Sequence, residues 1–64
     1  MAALVAARTK AGITQRELAR RLGRSHSFMG KIESGERQLN VLEFCELADA
    51  LKLNPKELFA RILG

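Results

Sequence analysis

The chain has little of what secreted, metal-binding and membrane proteins depend on. Its 64 residues include no tryptophan or tyrosine, one histidine, one proline and one cysteine. Because Cys45 stands alone, an intramolecular disulfide is excluded, and no Cys/His cluster has the spacing of a zinc site. No apolar run approaches the roughly 20 residues that span a bilayer, and the apolar start is too short for a signal peptide. We therefore predict no metal site and no membrane partner.

The same scarcity argues against an enzyme. His26 has no evident acid or nucleophile partner in the sequence, and no glycine-rich phosphate loop occurs. Cys45 lies in an apolar helical pattern, where we expect a small core side chain rather than a reactive thiolate. We predict no catalytic residue, no cofactor and no small-molecule ligand. A lone free thiol is typical of the reducing cytoplasm, which is the expected location.

Positive charge is concentrated in the first part of the chain. Residues 1–38 contain eight Lys/Arg and three Glu, a net charge of +5, whereas residues 39–64 contain three Lys/Arg and four Asp/Glu, a net charge of −1. This asymmetry favours a polyanionic partner, although an ordinary solvated basic surface also accounts for it. A chain of this length forms one domain, 1–64, and buries only about 60% of its unfolded surface. We therefore expect tight helix packing or self-association to stabilise it.

Helical periodicity runs along the whole chain and predicts an all-α protein of five helices. The predicted helices run from Ala2 to Lys10, Thr14 to Gly23, Ser25 to Ser34, Val41 to Leu51 and Asn54 to the C-terminus. Capping boxes are predicted for Thr14 with Glu17 and for Asn54 with Glu57, and Ser25 is a suitable N-cap. In the fourth helix, helical spacing predicts that five apolar side chains are buried, namely Val41, Phe44, Leu47, Ala48 and Leu51.

The second and third helices have the spacing of a helix-turn-helix unit over about residues 14–33. Ala19 is small enough for a close helix crossing, and Gly23 tolerates the left-handed conformation that the turn requires. Met29 and Ile32 are placed to pack back onto the second helix. A helical hairpin can meet this spacing by chance, but the combination in a basic, all-helical chain favours a DNA-binding motif.

The wider pattern resembles the Cro/C1-type (XRE) helix-turn-helix domain over residues 4 to about 60. The residues that carry the resemblance are Gly12-Ile13-Thr14-Gln15, Glu17-Leu18-Ala19, Leu22-Gly23, Ser25, Ile32-Glu33, Gly35, Arg37, Leu47-Ala48 and Ala50-Leu51. The resemblance implies an all-α, compact five-helix bundle of the lambda-repressor-like DNA-binding type. It also implies a cytoplasmic protein that binds double-stranded DNA, usually as a dimer.

The resemblance assigns the third helix, about residues 25–33, to the DNA major groove. The positions that read base edges carry His26, Ser27, Lys31 and Phe28. Lys31 and His26 can donate hydrogen bonds to guanine, and Ser27 can pair with several bases. Phe28 departs from the small polar residue usual in the family. The sequence leaves open whether its ring presses on a thymine methyl, shields the edge of the core or meets another chain.

Further roles follow from the same resemblance. Phosphate contacts are implied for Gln15, Arg24, Ser25, Ser34 and Arg37. Gln15 also matches a residue that braces the recognition helix, and Arg24 replaces a residue that is more often apolar. Arg8 and Glu33 match a structural ion pair that links the first helix to the end of the third.

We expect sequence-specific binding of double-stranded DNA by a small transcriptional regulator, a repressor or controller. The C-terminal apolar stripe suggests a homodimer, with Phe59 and Leu63 at its interface. Such a dimer would place two recognition helices about 34 Å apart, one turn of DNA. The alternative is a protein-interaction module of a toxin–antitoxin or phage regulatory complex, in which the same stripe binds a different protein and DNA binding is secondary.

Overall fold

The helix-turn-helix spacing of the sequence corresponds to two helices that pack directly on each other. The computed structural model describes residues 2–63, which form α1 (Ala2–Lys10), α2 (Gln15–Arg21), α3 (Phe28–Ser34), α4 (Val41–Ala50) and α5 (Pro55–Leu63). Besides the α2–α3 pair, α5 packs on α1 and α4, and α1 packs on α3. The predicted all-α, five-helix class is confirmed, and no strand occurs within residues 2–63.

The core lies where these helices meet. It takes at least one fully covered side chain from every helix, including Leu4, Leu18, Met29, Ile32, Leu47 and Leu58. Ala19 is completely buried on α2 and leaves room for the close approach of α3. Residues predicted to face inward from the helix-turn-helix unit therefore do so, and they fix which side of α3 remains outside.

The turn between α2 and α3 has the predicted left-handed glycine. Gly23 has φ of 69°. The backbone N–H of Gly23 donates to the carbonyl of Arg20 at 3.0 Å, and the N–H of Arg24 donates to the carbonyl of Ala19 at 2.9 Å. These bonds satisfy carbonyls at the end of α2 and reverse the chain within a few residues.

The third helix begins later than predicted. Residues 26–27 form a turn, in which the N–H of Phe28 donates to the carbonyl of Ser25 at 3.1 Å, and α3 starts at Phe28. Ser25 is therefore not the N-cap, and Ser27, which holds that position, makes no side-chain capping bond. His26 and Ser27 precede the helix instead of lying on it.

Helix capping also differs from the prediction. Thr14 accepts from the N–H of Glu17 at 3.0 Å, but the Glu17 carboxylate binds Arg20 and Arg21, so this box is half formed. Asn54 caps α5 as predicted, but its side chain accepts from the N–H of Lys56, at 2.8 Å, instead of that of Glu57. The complete capping box lies at α4, where Asn40 and Glu43 exchange both bonds.

The start of α4 lies outside the core. Val41 is 81% exposed and borders an open groove, which corrects the prediction that it is buried. Cys45 is also exposed rather than a core side chain. The covered face of α4 is narrower than the apolar pattern suggests, because Leu47, Ala48 and Leu51 fill it and Phe44 is only half-buried.

Two general properties of the described part of the chain bear on function. Within residues 2–63, no helix is long and apolar enough to cross a membrane. In the same range, no three His, Cys, Asp or Glu side chains come together in a way that could hold a metal ion.

Candidate nucleic-acid interface

The outer side of α3 and the turn before it carry exposed polar side chains that do not pack in the core. Met29 and Ile32 point into the core, whereas His26, Ser27 and Lys31 are exposed. Within residues 2–63, the Lys31 ammonium and the His26 ring have no ion-pair or side-chain hydrogen-bond partner. The Ser27 hydroxyl has only Ser25 Oγ nearby, at 3.5 Å. These groups are free to meet a ligand.

A hydrogen-bonded network fixes the C-terminal end of α3 to two other helices. Arg8 Nε and Nη2 donate to the two carboxylate oxygens of Glu33 at 2.7 and 3.1 Å, and Arg8 Nη1 donates to the carbonyl of Ile13 at 2.9 Å. Gln15 Nε2 donates to Glu33 Oε1 at 2.9 Å. The structure thus brings Arg8 and Glu33 into the ion pair that the resemblance implied, and Gln15 braces it from α2.

The surroundings of Glu33 keep it ionised. Partial burial raises the pKa of its carboxyl group, but hydrogen bonds from Arg8 and then Gln15 outweigh that effect, so the net pKa is lowered. Gln15 is exposed and has used one of the two N–H groups of its amide nitrogen. The second N–H remains for an outside acceptor.

A second charged cluster, which we call the arginine–glutamate cluster, joins Arg24, Phe28, Arg37 and Glu43 at the N-terminal end of α3. Arg37 Nη1 and Nη2 donate to the two carboxylate oxygens of Glu43 at 2.9 and 2.7 Å. Arg24 Nη2 lies 3.0 Å from Glu43 Oε2. The guanidinium carbons of Arg24 and Arg37 lie 5.2 and 4.8 Å from the centre of the Phe28 ring.

Glu43 is the centre of this cluster. It is only 5% exposed, and its carboxylate also accepts from the backbone N–H of Asn40 at 3.2 Å. The hydrogen bonds from Arg37, followed by that from Asn40, lower the pKa of Glu43 from 4.5 to about 2. The carboxylate is therefore charged at neutral pH and holds both guanidinium groups in place.

The cluster corrects the base-reading role predicted for Phe28. This residue is 7% exposed and belongs to the core, with a guanidinium group of Arg24 and one of Arg37 against its ring. A covered ring cannot reach a base edge in the major groove. Of the three uses that the sequence left open for Phe28, the structure shows it shielding the edge of the core.

The cluster makes Arg37 less available to a phosphate than the resemblance implied. Its Nη1 and Nη2 donate to Glu43, and Nη1 also donates to the carbonyl of Gln38 at 3.1 Å. The Arg24 and Arg37 side chains are about equally exposed, at 40% and 38%, but Arg24 makes one contact with Glu43 and has Nε and Nη1 uncommitted within the described residues. Arg24 therefore keeps the N–H donors that a phosphate contact needs. Most N–H groups of Arg37 already donate to Glu43 or to the carbonyl of Gln38.

The two serines predicted to hold phosphates differ as well. Ser25 is exposed in the turn before α3. Ser34 is exposed, but its hydroxyl donates to the carbonyl of Lys31 at 3.2 Å, so it offers only acceptor lone pairs as placed. Ser25 is consequently the better placed of the two to donate to an anion.

Sequence reasoning missed Glu43, although a signal for it exists. Asn40-Val41-Leu42-Glu43 has the spacing of a capping box, and Glu43 uses Oε1 for the box while both oxygens bind arginine. The cap is easily overlooked because Asn40 ends a polar stretch, residues 36–40, that separates two apolar helical patterns. The pairing with Arg24 and Arg37 has no local pattern, because it depends on how three helices meet.

A separate apolar surface lies between α4 and α5. A groove of about 600 Å³ is lined by Ile32, Gly35, Arg37, Gln38, Leu39, Val41, Phe44, Phe59 and Ile62. Phe59 packs edge-on against Phe44, with ring centres 6.2 Å apart, and remains 54% exposed, while Leu63 is 72% exposed. Phe59 and Leu63 thus offer apolar surface that this chain does not itself cover.

Comparison with known proteins agrees with this geometry. A helix-turn-helix domain family matches residues 2–62. The chain is similar to a solved structure described as an XRE-family like protein from Pseudomonas syringae pv. tomato str. DC3000, with 45% identity and a TM-score of 0.81. The match covers 94% of this chain and 75% of that one. This chain belongs to the XRE family of helix-turn-helix proteins.

Membership of the XRE family makes this a DNA-binding type of regulator in general terms, and the exposed side of α3 is where such a motif presents its recognition surface. A comparison with curated proteins gave no match.

Proposed function

We propose that this XRE-family protein binds double-stranded DNA sequence-specifically, as a small transcriptional repressor or controller acting in the cytoplasm. The observation that carries the proposal is the exposure of three polar side chains, Lys31 on α3 and His26 and Ser27 in the turn before it, while the other side of α3 packs into the core. Rigid presentation of a few polar side chains is what major-groove reading requires. Lys31 and His26 donate to guanine, and Ser27 adapts to several bases.

In this proposal, phosphate contacts position the base-reading side chains on the DNA. Gln15 has a free N–H at the start of α2, and Arg24 has two nitrogens without a hydrogen bond among residues 2–63. The exposed Ser25 hydroxyl has one neighbour, Ser27 Oγ at 3.5 Å, and can turn to donate to a phosphate. Ser34 can take part only if its hydroxyl turns away from the Lys31 carbonyl. Because Arg37 is committed to Glu43, we leave it out of this set. Contacts of this kind set register and affinity without reading sequence.

We further propose that the protein acts as a homodimer through the exposed apolar side chains of α5, Phe59 and Leu63. Phe59 lines the groove that also includes Val41 and Phe44, and Leu63 is exposed one turn further along α5, so this part of the surface offers both protruding side chains and a depression. A surface of this shape suits a two-fold contact, in which the same patch meets itself. Two copies would present two α3 helices to successive major grooves.

The test is selection of bound duplexes from random DNA, followed by titration of the selected duplex and a scrambled one at several salt concentrations. We expect one enriched motif, an affinity at least 10³-fold above that for scrambled DNA, and a steep fall of affinity with salt. Absence of both enrichment and a salt slope would reject the proposal.

A second candidate function is supported by the same apolar face. Val41 and Leu42 at the start of α4 add to Phe59 and Leu63 as exposed large apolar side chains, which is unusual for a monomer of this size. A protein-interaction module that uses this face against a different protein would not enrich a DNA motif. The selection experiment therefore separates the two functions.

A further inference from the structure

We propose that Glu43 sets the number of DNA phosphates that this domain neutralises, because its carboxylate neutralises the charge of one of its two arginines. The inference rests on the proposed DNA-binding function and concerns the arginine–glutamate cluster. Two guanidinium groups and one carboxylate carry a net charge of +1, so the cluster offers a polyanion one positive charge rather than two.

The geometry shows which of the two arginines pairs with Glu43. Arg37 makes three hydrogen bonds within the protein, two to Glu43 and one to the carbonyl of Gln38. Arg24 makes one contact with Glu43, at 3.0 Å, lies against the Phe28 ring and has no hydrogen bond at Nε or Nη1 within the described residues. Arg37 therefore neutralises Glu43, and Arg24 is the cation that remains available to a phosphate.

The contacts of the Glu43 carboxylate keep it paired with an arginine. The carboxylate accepts two hydrogen bonds from Arg37 and one from the N–H of Asn40, and it lies 3.0 Å from Arg24 Nη2. It is almost fully covered and is held at the first turn of α4 by the capping box, so it stays in place beside Arg37. The charge stays neutralised while DNA is bound.

The consequence is a lower sequence-independent affinity. Each phosphate neutralised by Lys or Arg contributes about 0.9 to the slope of log affinity against log salt. Removing the Glu43 charge would free Arg37 to neutralise about one additional DNA phosphate. Over a fourfold change in salt, the fall in affinity would then be about three- to fourfold larger than for the unaltered protein.

The experiment measures this slope on a duplex of arbitrary sequence for Glu43→Gln and for the double variant Arg37→Gln/Glu43→Gln. Glutamine at position 43 retains an oxygen that can accept from Asn40, so the capping box can persist. We expect the single variant to steepen the slope by about one unit. The double variant should return to the slope of the unaltered protein, because Arg24 alone then supplies the same +1.

The matched control is Glu46→Gln, which removes the same charge three residues along α4, where the carboxylate is exposed and binds no arginine among the described residues. A slope for Glu43→Gln equal to that of Glu46→Gln would overturn the inference. So would a double variant whose slope is about one unit shallower than that of the unaltered protein, because Arg37 would then hold a phosphate itself.

The outcome is separable from the proposed function and from folding. If the unaltered protein shows no salt-dependent binding, the DNA-binding proposal fails before any variant is compared. If circular dichroism shows that Glu43→Gln is unfolded, Arg37→Gln and the double variant decide together. Arg37→Gln should make the slope about one unit shallower, because Glu43 then neutralises Arg24, while the double variant keeps the slope of the unaltered protein. An unchanged slope for Arg37→Gln would overturn the inference.

Discussion

At the scale of single residues, Lys31 and Phe28 show how neighbouring positions of one helix divide between recognition and support. The Lys31 side chain is exposed and has no partner within residues 2–63, and Phe28, three residues earlier, is covered by two arginines. We expect Lys31→Ala to lose about 1–3 kcal/mol of binding free energy on the selected duplex and to relax preference at one base pair. Competition titration with single-base variants of the duplex measures both effects.

The control for Lys31 is Lys56→Ala, which removes the same charge from the exposed side of α5. It should weaken binding to all duplexes slightly and equally. An equal loss on every duplex for Lys31→Ala would reject its base-reading role.

Phe28 is predicted to act through stability. Truncating a buried phenylalanine removes apolar contact and leaves a cavity, so we expect Phe28→Ala to lower the free energy of unfolding by roughly 3 kcal/mol. Urea unfolding measures this loss. Phe59→Ala, compared at a concentration where the protein is monomeric, should lose distinctly less because that ring is half exposed. A stable Phe28→Ala protein with impaired DNA binding would restore the base-reading role.

At the scale of the elements, two glycines of the helix-turn-helix unit are expected to respond in opposite directions to alanine. Gly23 has φ of 69°, which costs an L-residue about 1–2 kcal/mol, so Gly23→Ala should destabilise. Gly30 lies inside α3, where an added Cβ would make an ordinary contact of 3.7 Å with Gln15 Oε1. Gly30→Ala should therefore stabilise by up to about 1 kcal/mol. Chemical unfolding of both variants checks the signs, and a shared sign would contradict the structure.

The carboxylates that join the helices predict a response to acid. The pKa values of Glu33 and Glu43 are lowered in the folded state, to about 2 for Glu43. The stability that they contribute is then present above their unfolded pKa, near 4.5, and is lost as the pH falls toward the folded value. We expect a nearly constant melting temperature from pH 7 to about 5 and a steep fall below about pH 4.5. Thermal unfolding of Glu43→Gln should show a shallower fall, and an identical pH profile would show that Glu43 contributes nothing.

How much of each element could be read from the sequence depended on whether its signal is local. Gly23, Ala19, Met29 and Ile32 form a spacing within one stretch of chain, and the turn and packing that it predicts are present. The start of α3 was wrong because Ser25 begins a turn of a different hydrogen-bond pattern. The arginine–glutamate cluster could not be predicted because its members come from two loops and from α3 and α4.

At the scale of the whole molecule, the apolar face of α5 predicts a monomer–dimer equilibrium. We expect Leu63→Glu to shift the equilibrium toward monomer, because a carboxylate at the contact would be desolvated. Sedimentation over a range of concentrations measures the change. Arg61→Gln, which alters net charge equally on the opposite side of α5, should leave the association unchanged. A Leu63→Glu protein that associates as before would place the interface elsewhere.

The exposed position of Cys45 on α4 gives this molecule a built-in reporter. Since it is the only thiol in the sequence, a nitroxide attached there labels each copy once, with no engineered cysteine. Electron–electron distance measurement between two labels would return one narrow distribution for a two-fold assembly on DNA and none for isolated copies. The side chain that the apolar pattern had assigned to the interior is thus the most direct handle on how two copies are arranged.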